Sequence, residues 1–227
     1  MPAKLTVIIP VYNEKETIDK VVAAVSSVKL DKEIVIVDDG STDGTREILA
    51  QISLLASNIR VIYHEKNQGK GKAIQTGIAA AGGEYVIIQD ADMEYDPSDY
   101  KILLEAVEKN NAAIVYGSRF LSGKKVTSFW HKTVNSFLTQ LTNVLYGAHL
   151  TDMETCYKLF RTDIIKKINI QSHGFEVEPE ITLKSLRMGF KILEVPISYK
   201  GRSYHEGKKI GWKDGVKAVA VLIRYRF

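Results

Sequence analysis

The chain carries a single cysteine, Cys156, in 227 residues. One thiol excludes an internal disulfide and fits a reducing compartment. No apolar run approaches the roughly 18 residues that mark a membrane span, so any contact with a bilayer is expected from its surface. The first residues lead straight into a strand-like run without the apolar core of a signal peptide, and none is expected. Two glycine patterns are also missing. No Gly-x-Gly-x-x-Gly follows the first strand-like run, which counts against NAD and FAD. Lys72 is followed by Ala73, and no glycine lies five residues before Gly71, so a P-loop is not written here either. His64, His131, His149 and His173 lack the spacing of a zinc site and read as structural or surface residues. No low-complexity linker or internal repeat divides the chain.

What is present points to one globular domain. Apolar residues make up 45% of the chain, and the length suits a well-filled core. The net charge is only +4, with basic residues gathered between Lys200 and Arg226. That local excess suits an anionic partner or a membrane surface better than duplex nucleic acid, and no nucleic-acid partner is expected.

Apolar, β-rich runs alternate with helical patterns. The runs are Leu5–Pro10, Glu33–Asp38, Ile59–His64, Tyr85–Asp90 and Ala113–Ser118; between them lie Glu14–Val28, Gly44–Ser57, Lys70–Ala81 and Pro97–Asn110. Strands apolar throughout and separated by helices predict a mostly parallel sheet covered on both faces. Ligands of such sheets bind beyond the carboxyl ends of the strands. After Arg119 the alternation breaks. Val126–Tyr146 reads as a long amphipathic helix with Trp130, Val134, Phe137, Leu141 and Val144 on one stripe, followed by a mixed segment. A helix near Pro179–Met188, a strand near Lys191–Tyr199 and a last helix from about Trp212 to Arg226 complete the chain. That last helix sets Lys213, Lys217 and Arg224 beside an apolar stripe of Trp212, Val216, Val219, Ile223 and Phe227. It reads either as core cover or as an interfacial helix on anionic lipid.

The chemistry-bearing residues fall at the strand ends. Asp90-Ala91-Asp92 closes the run Tyr85–Gln89, and two carboxylates so placed can hold Mg²⁺ or Mn²⁺ against the phosphates of a nucleotide. Pro10, Tyr12 and Glu14 follow the first strand and can meet a base or ribose edge, while Asn13 reads equally as a helix cap. Asp38 and Asp39 precede Gly40-Ser41-Thr42-Asp43-Gly44, where Asp43 or Thr42 can cap the next helix. Two adjacent acids repel unless something binds beside them, and a base N–H or ribose hydroxyl would serve. Gly69-Lys70-Gly71-Lys72 opens a helix, where free N–H groups and a lysine favour an anion. Arg119 ends the fifth strand and can clamp a phosphate. Residues 201–212 combine Arg202, Lys208 and Lys209 with three glycines in an anion-seeking loop.

In order and spacing, Ile8–Glu14, Val37–Gly44, Asn67–Gly71 and Asp90–Asp92 resemble the family 2 glycosyltransferases of the GT-A fold. The likeness covers nearly the whole chain and is greatest to the dolichyl-phosphate mannose synthase and polyprenyl-phosphate glucosyltransferase branch. It implies a GT-A, Rossmann-like α/β fold: a mostly parallel mixed sheet flanked by helices, with C-terminal amphipathic helices. Residues 1–227 would form one domain, with a nucleotide-sugar half (1–120) and an acceptor half (121–227). Tyr12, Glu14 and Asp39 would help hold the nucleotide, together with Pro10, Asp38, Lys70 and Asp90. Asp90 and Asp92 would bind the metal, with Glu94 standing where the branch usually has glutamine. Asp92, Arg119, Asp152 and Arg202 are the catalytic candidates, and Arg119, Arg202, Lys208 and Lys209 face the acceptor phosphate. Asp152 begins a stretch that departs from the branch's Asp-Pro-x-Ser-Gly motif.

The implied reaction is an inverting, metal-dependent transfer of a hexose from a donor of the GDP-mannose or UDP-glucose type to a polyprenyl or dolichyl phosphate. It would take place peripherally, on the cytoplasmic face of the membrane, with a homo-oligomer or a separate membrane subunit left open. The rivals are a family 2 transferase acting on a carbohydrate hydroxyl, for which Asp152 or Glu154 would be the base, a nucleotidyltransferase, and a binding module without turnover.

Overall fold

The computed structural model describes residues 2–54, 56–122, 129–201 and 212–226, with only the backbone described at 129–132 and 212–214. In β1 (Leu5–Val11), Leu5, Val7, Ile8 and Ile9 are all fully buried, so both faces of this strand are covered. Helices α1 (Ile18–Ser27), α2 (Thr45–Ile52), α3 (Lys70–Ala80) and α4 (Tyr100–Asn110, entered by a 3-10 turn at Pro97–Asp99) alternate with β2 (Lys32–Asp38), β3 (Ile59–Tyr63), β4 (Tyr85–Ile88) and β5 (Ile114–Ser118). The later elements are α5 (Phe129–Tyr146), β6 (Lys158–Arg161), the short α6 (Thr162–Ile165), α7 (Val177–Arg187), β7 (Leu193–Pro196) and α8 (Trp212–Arg224).

The seven strands form one sheet in the order β3-β2-β1-β4-β6-β5-β7. It therefore draws strands from both sides of residue 120. The pairs β1–β2, β1–β4, β2–β3 and β5–β7 are parallel, and β6 runs antiparallel to both β4 and β5. The sheet is thus mixed and mostly parallel. Two consequences position the site. Chain connections leave β1 and β4 in opposite directions across the sheet, which makes their carboxyl ends the topological switch point where ligands bind. And because β6 is reversed, the segment that enters it, Asp152–Tyr157, arrives at the same rim as the carboxyl ends of β4 and β5.

Strand β6 lies inside the segment whose pattern gave no element. Its four residues are too few for a period, and Lys158 at its start is a charged residue that is nevertheless fully buried.

Helix α5 is amphipathic, but in the unexpected sense. Its buried positions include the polar Asn135, Thr139 and Thr142 beside Leu138, whereas Val134, Phe137 and Val144 are 49%, 59% and 78% exposed. Of the apolar stripe read from the sequence, Val134, Phe137 and Val144 therefore face outward, while Leu141 packs partly against the cluster around Leu138 and Met153. Helix α8 buries Ala218 and Leu222 against Leu138, Met153 and Leu183, and leaves Val216 and Ile223 exposed.

Candidate active site at the strand ends

The loops after β1 and β2 lock together. Asn13 takes a left-handed conformation (φ 50°), a region that asparagine tolerates better than most residues. There its Oδ1 accepts from the Thr42 N–H (2.8 Å), and its own N–H donates to Ser41 Oγ (2.9 Å). Asn13 is thus a cross-loop brace rather than a helix cap. Asp43 Oδ1 accepts from Thr45 N at the start of α2 (3.0 Å). Burial opposes the Asp43 charge, but the Thr45 hydroxyl and neighbouring N–H groups hold its pKa below the usual value. Glu14 Oε2 and the Ala91 carbonyl lie 2.9 and 2.7 Å from Thr17 Oγ1, which ties the first loop to the turn after β4. Pro10, Tyr12 and Glu14 are all half-buried along this rim.

Asp38 and Asp39 find their partners within the chain. Asp38 Oδ2 pairs with Arg46 Nε at 2.6 Å. Asp39 Oδ1 meets His64 Nδ1 at 2.7 Å, and its carboxylate also accepts from Gln68 N and Gly69 N (3.0 and 2.7 Å). Of the two readings left for His64, structural or surface, the buried one holds, with its other ring nitrogen 2.9 Å from Thr76 Oγ1. Each of the adjacent acids is thus held by partners of its own, Asp38 by a guanidinium and Asp39 by an imidazole and two backbone N–H groups. Asp39 therefore fixes the loop that begins α3.

The start of α3 is not an open anion cradle. Gly69 N donates to Asp39, Gly71 N to the His173 carbonyl (2.7 Å), and Lys72 N to Gly69 O (3.0 Å). Loop 171–173, between α6 and α7, presses so closely that a Cβ on Gly69 or Gly71 would lie 2.2 Å from the His173 or Ser172 carbonyl oxygen. What the turn offers is the Lys70 side chain. Its Nζ sits 2.7 Å from Asp90 Oδ1 and 3.2 Å from Glu178 Oε1. Glu178 also pairs with the buried Lys158 through its other oxygen. Burial alone would lower the Lys70 pKa; Asp90, then Cys156 and Glu178, reverse this and hold it well above the usual lysine range. Asp90 answers in kind: burial pushes its pKa up, and Lys70 more than offsets that, leaving it below the usual value. Burial and the Asp90 charge drive the Cys156 thiol upward, so it is neutral and unsuited to nucleophilic chemistry.

Asp92 Oδ1 accepts from the Glu94 N–H at 3.2 Å, across a turn in which Met93 has φ 61°. The three acids Asp90, Asp92 and Glu94 do not form a cage: among the described residues, no three His, Cys, Asp or Glu side chains gather to hold a metal. The reason is local. Glu94 Oε2 accepts from Tyr199 Oη at 2.5 Å, and the Glu94 carbonyl accepts from Lys200 N at 2.8 Å, so this side chain braces the segment after β7. In this arrangement Glu94, expected as a third ligand, is set apart from Asp90 and Asp92. Asp90 and Asp92 remain two hard oxygen donors on one turn. That set fits Mg²⁺ or Mn²⁺, since such ions are commonly held by one or two carboxylates with substrate phosphates completing the shell.

On the other side of β4, Arg119 and Asp152 come together. Arg119 Nε and Nη2 donate to Asp152 Oδ2 and Oδ1, each at 2.7 Å, and Arg119 N adds a third bond at 3.0 Å. Asn135 Nδ2 from α5 also donates to Asp152 Oδ1 (3.2 Å), and Asp152 N donates to Glu194 Oε1 of β7 (3.0 Å). Burial raises the Asp152 pKa and Arg119 lowers it by more, so the carboxylate stays charged. The Arg119 guanidinium lies 5.1 Å from the Tyr199 ring centre. Glu154 is different in kind. Burial lifts its pKa to about 7 against the opposing pull of Lys158, and its Oε1 is a buried oxygen without a hydrogen-bond partner.

Arg202, Lys208 and Lys209 lie outside the described residues. Glu178, Lys158, Asn135, Glu194 and Tyr199 are partners that no sequence pattern announced. They sit in separate elements, and only the sheet order brings them to one rim.

The sequence profile described as Glycosyl transferase family 2 matches residues 6–169. A polyprenol monophosphomannose synthase of Mycolicibacterium smegmatis is 29% identical over 218 residues, covering 90% of this chain and 80% of that protein. A dolichol-phosphate mannosyltransferase of Pyrococcus furiosus is 29% identical over 214 residues, covering 92% of this chain but only 60% of that protein. Among solved structures, glucosyl-3-phosphoglycerate synthase from Mycobacterium tuberculosis, in complex with Mn²⁺, UDP and glucosyl-3-phosphoglycerate, superposes with a TM-score of 0.72. That match has 21% identity and covers 98% of this chain and 80% of the other, a likeness of fold.

Proposed function

Because this chain belongs to glycosyl transferase family 2 and is a glycosyltransferase, we propose that it moves a hexose from a nucleotide-sugar to a polyprenyl or dolichyl phosphate with inversion at the anomeric carbon. The relatives named above for mannosyl transfer to such lipids support this reading. Residues 1–120 supply the donor side, with Pro10, Tyr12 and Glu14 along the nucleotide, Lys70 beside its phosphates, and Asp38 and Asp39 shaping the loops around it. Residues 121–227 supply the acceptor side of the same domain.

The observation that carries the lipid acceptor is helix α5. On its inner side, Asn135 holds Asp152, the partner of Arg119. On its outer side, Val134, Phe137 and Val144 are exposed. One helix thus joins an apolar surface to the arginine proposed to meet the phosphate. Among the described residues no helix is long and apolar enough to cross a membrane. We assign α5 and α8 to the cytoplasmic membrane surface, where Lys217 and Arg224 would face anionic headgroups.

A lipid phosphate is anionic near neutral pH, with a second pKa of about 6, so it needs positioning and charge compensation rather than a strong base. Arg119 supplies both, its guanidinium plane fixed by Asp152 before the acceptor arrives. Arg202, Lys208 and Lys209 are assigned to the same phosphate on their sequence pattern alone. A divalent cation held by Asp90 and Asp92 would stabilise the departing nucleoside diphosphate. Arg119→Ala tests the acceptor assignment: transfer to lipid phosphate should be lost while the affinity for the donor stays within about twofold. Unchanged transfer would remove Arg119 from the acceptor site.

A second reading, transfer to a carbohydrate hydroxyl, is favoured by Glu154. A hydroxyl acceptor needs a general base, best with a pKa near the working pH, and Glu154 sits at about 7 with an unpartnered oxygen. Asp152, locked by Arg119, does not suit that role. Loss of turnover in Glu154→Gln with a sugar acceptor, and not with polyprenyl phosphate, would select this second reading.

A further inference from the structure

We propose that Lys70 occupies, in the nucleotide-free protein, the carboxylate position a divalent cation needs, so that cation and nucleoside diphosphate bind together rather than independently. This inference rests on the donor-site reading above and adds a residue that controls its loading.

Lys70 Nζ stands 2.7 Å from Asp90 Oδ1, the distance of a charge-assisted hydrogen bond. A cation binding that oxygen must displace the ammonium or lie against it, and two like charges at such separation repel strongly where water is scarce. The backbone cannot relieve the conflict. Gly69 N is held by Asp39 and Gly71 N by His173 O, and the 171–173 loop leaves no room for the start of α3 to retreat. Only the side chain can yield.

It has two places to go. Glu178 Oε1 already lies 3.2 Å from Nζ, with the Phe175 ring centre 5.8 Å away, so a small rotation keeps the ammonium paired after Asp90 is released. That seat is shared, because Lys158 already pairs with Glu178 and two ammonium groups would then depend on one carboxylate. A nucleoside diphosphate offers the other seat, since its β-phosphate brings new negative charge for both the cation and Lys70. Without the diphosphate, Lys70 and the cation compete for Asp90; with it, they act on the same anion.

The test measures free Mn²⁺ by electron paramagnetic resonance during titration of the full chain, alone and with saturating GDP or UDP. The wild-type protein should bind Mn²⁺ at least about tenfold more tightly with the nucleotide that fits, a gap of about 1.4 kcal/mol. Lys70→Met should bind Mn²⁺ about tenfold more tightly than wild type without nucleotide, which narrows that gap. Lys70→Gln should follow Met, and Lys70→Arg should keep the wild-type dependence. Wild-type affinity that is equally high without nucleotide overturns the inference while leaving the donor site standing, whether or not the variants fold. So does a folded Lys70→Met or Lys70→Gln no tighter than wild type. Absence of Mn²⁺ binding under every condition overturns the metal-bearing donor site, and the inference with it.

Discussion

Arg119 and Asp152, 33 positions apart in the chain, meet through paired side-chain hydrogen bonds of 2.7 Å in the rim of the sheet. Both are buried, and a buried pair is revealing when one member is removed. Arg119→Ala leaves an uncompensated carboxylate and should destabilise the protein by roughly 3–5 kcal/mol. Arg119→Met combined with Asp152→Leu should recover part of that loss. Urea unfolding of the two variants decides it; equal stability of both would mean that the pair is not electrostatically coupled.

The pH dependence of stability should carry the mark of Glu154. Its carboxyl has a pKa of 4.5 unperturbed and about 7 in the folded protein. The folded state therefore holds the proton more tightly than the unfolded state. The stability this contributes is fully present below pH 4.5, declines as pH rises, and is lost once pH passes about 7. The span is worth at most about 3 kcal/mol. Asp152 has the opposite sign: its lowered pKa adds stability above 3.8 that is lost as pH falls through the folded value. Glu154→Gln should flatten the decline between pH 4.5 and 7 in urea titrations, and an unaltered slope would contradict the assignment.

Gly71→Ala places a methyl group 2.2 Å from the Ser172 carbonyl oxygen, where backbone rather than a flexible side chain must shift. The start of α3 should open, carrying Lys70 away from Asp90. A loss of roughly 2–4 kcal/mol in stability is expected, with weakened nucleotide binding. Calorimetry of the variant with GDP or UDP measures both effects, and wild-type behaviour in each would refute the close approach.

The outward stripe of α5 predicts a separation of membrane binding from folding. Phe137→Ser with Val144→Ser should abolish flotation with anionic liposomes while changing stability by no more than about 1 kcal/mol, because both side chains are exposed. Undiminished flotation would assign the membrane surface elsewhere.

Much of this was legible in the sequence, for identifiable reasons. Strands such as Leu5–Val11 are apolar throughout because both faces are covered, so their positions and parallel pairing could be read directly. Asp90, Asp92 and Arg119 stood out because charged residues at the ends of apolar runs have few structural excuses, whereas Asp152, inside the mixed segment, was reached only through the family resemblance. What could not be read depends on contacts between distant elements. Strand β6 is four residues long and begins with a buried lysine whose partner, Glu178, lies in α7. Glu94 sits beside two candidate ligands, yet its partner Tyr199 is 105 residues away. The stripe on α5 was visible, but its direction was not: periodicity locates an apolar face without saying whether core or surroundings receive it. Here the polar Asn135 and Thr139 face inward, bonded to Asp152 and to the Met153 N–H, while the buried Thr142 donates to the Leu138 carbonyl of its own helix.

The most direct test of the account is transfer of label to lipid. The purified protein is incubated with Mn²⁺ or Mg²⁺, a short polyprenyl phosphate, and radiolabelled GDP-mannose or UDP-glucose in parallel. The account predicts that one donor yields an organic-extractable, mild-acid-labile product, and that Asp92→Ala abolishes it. Metal-dependent hydrolysis of a donor with no label in the lipid, or transfer only to a carbohydrate hydroxyl, would contradict the lipid-phosphate acceptor.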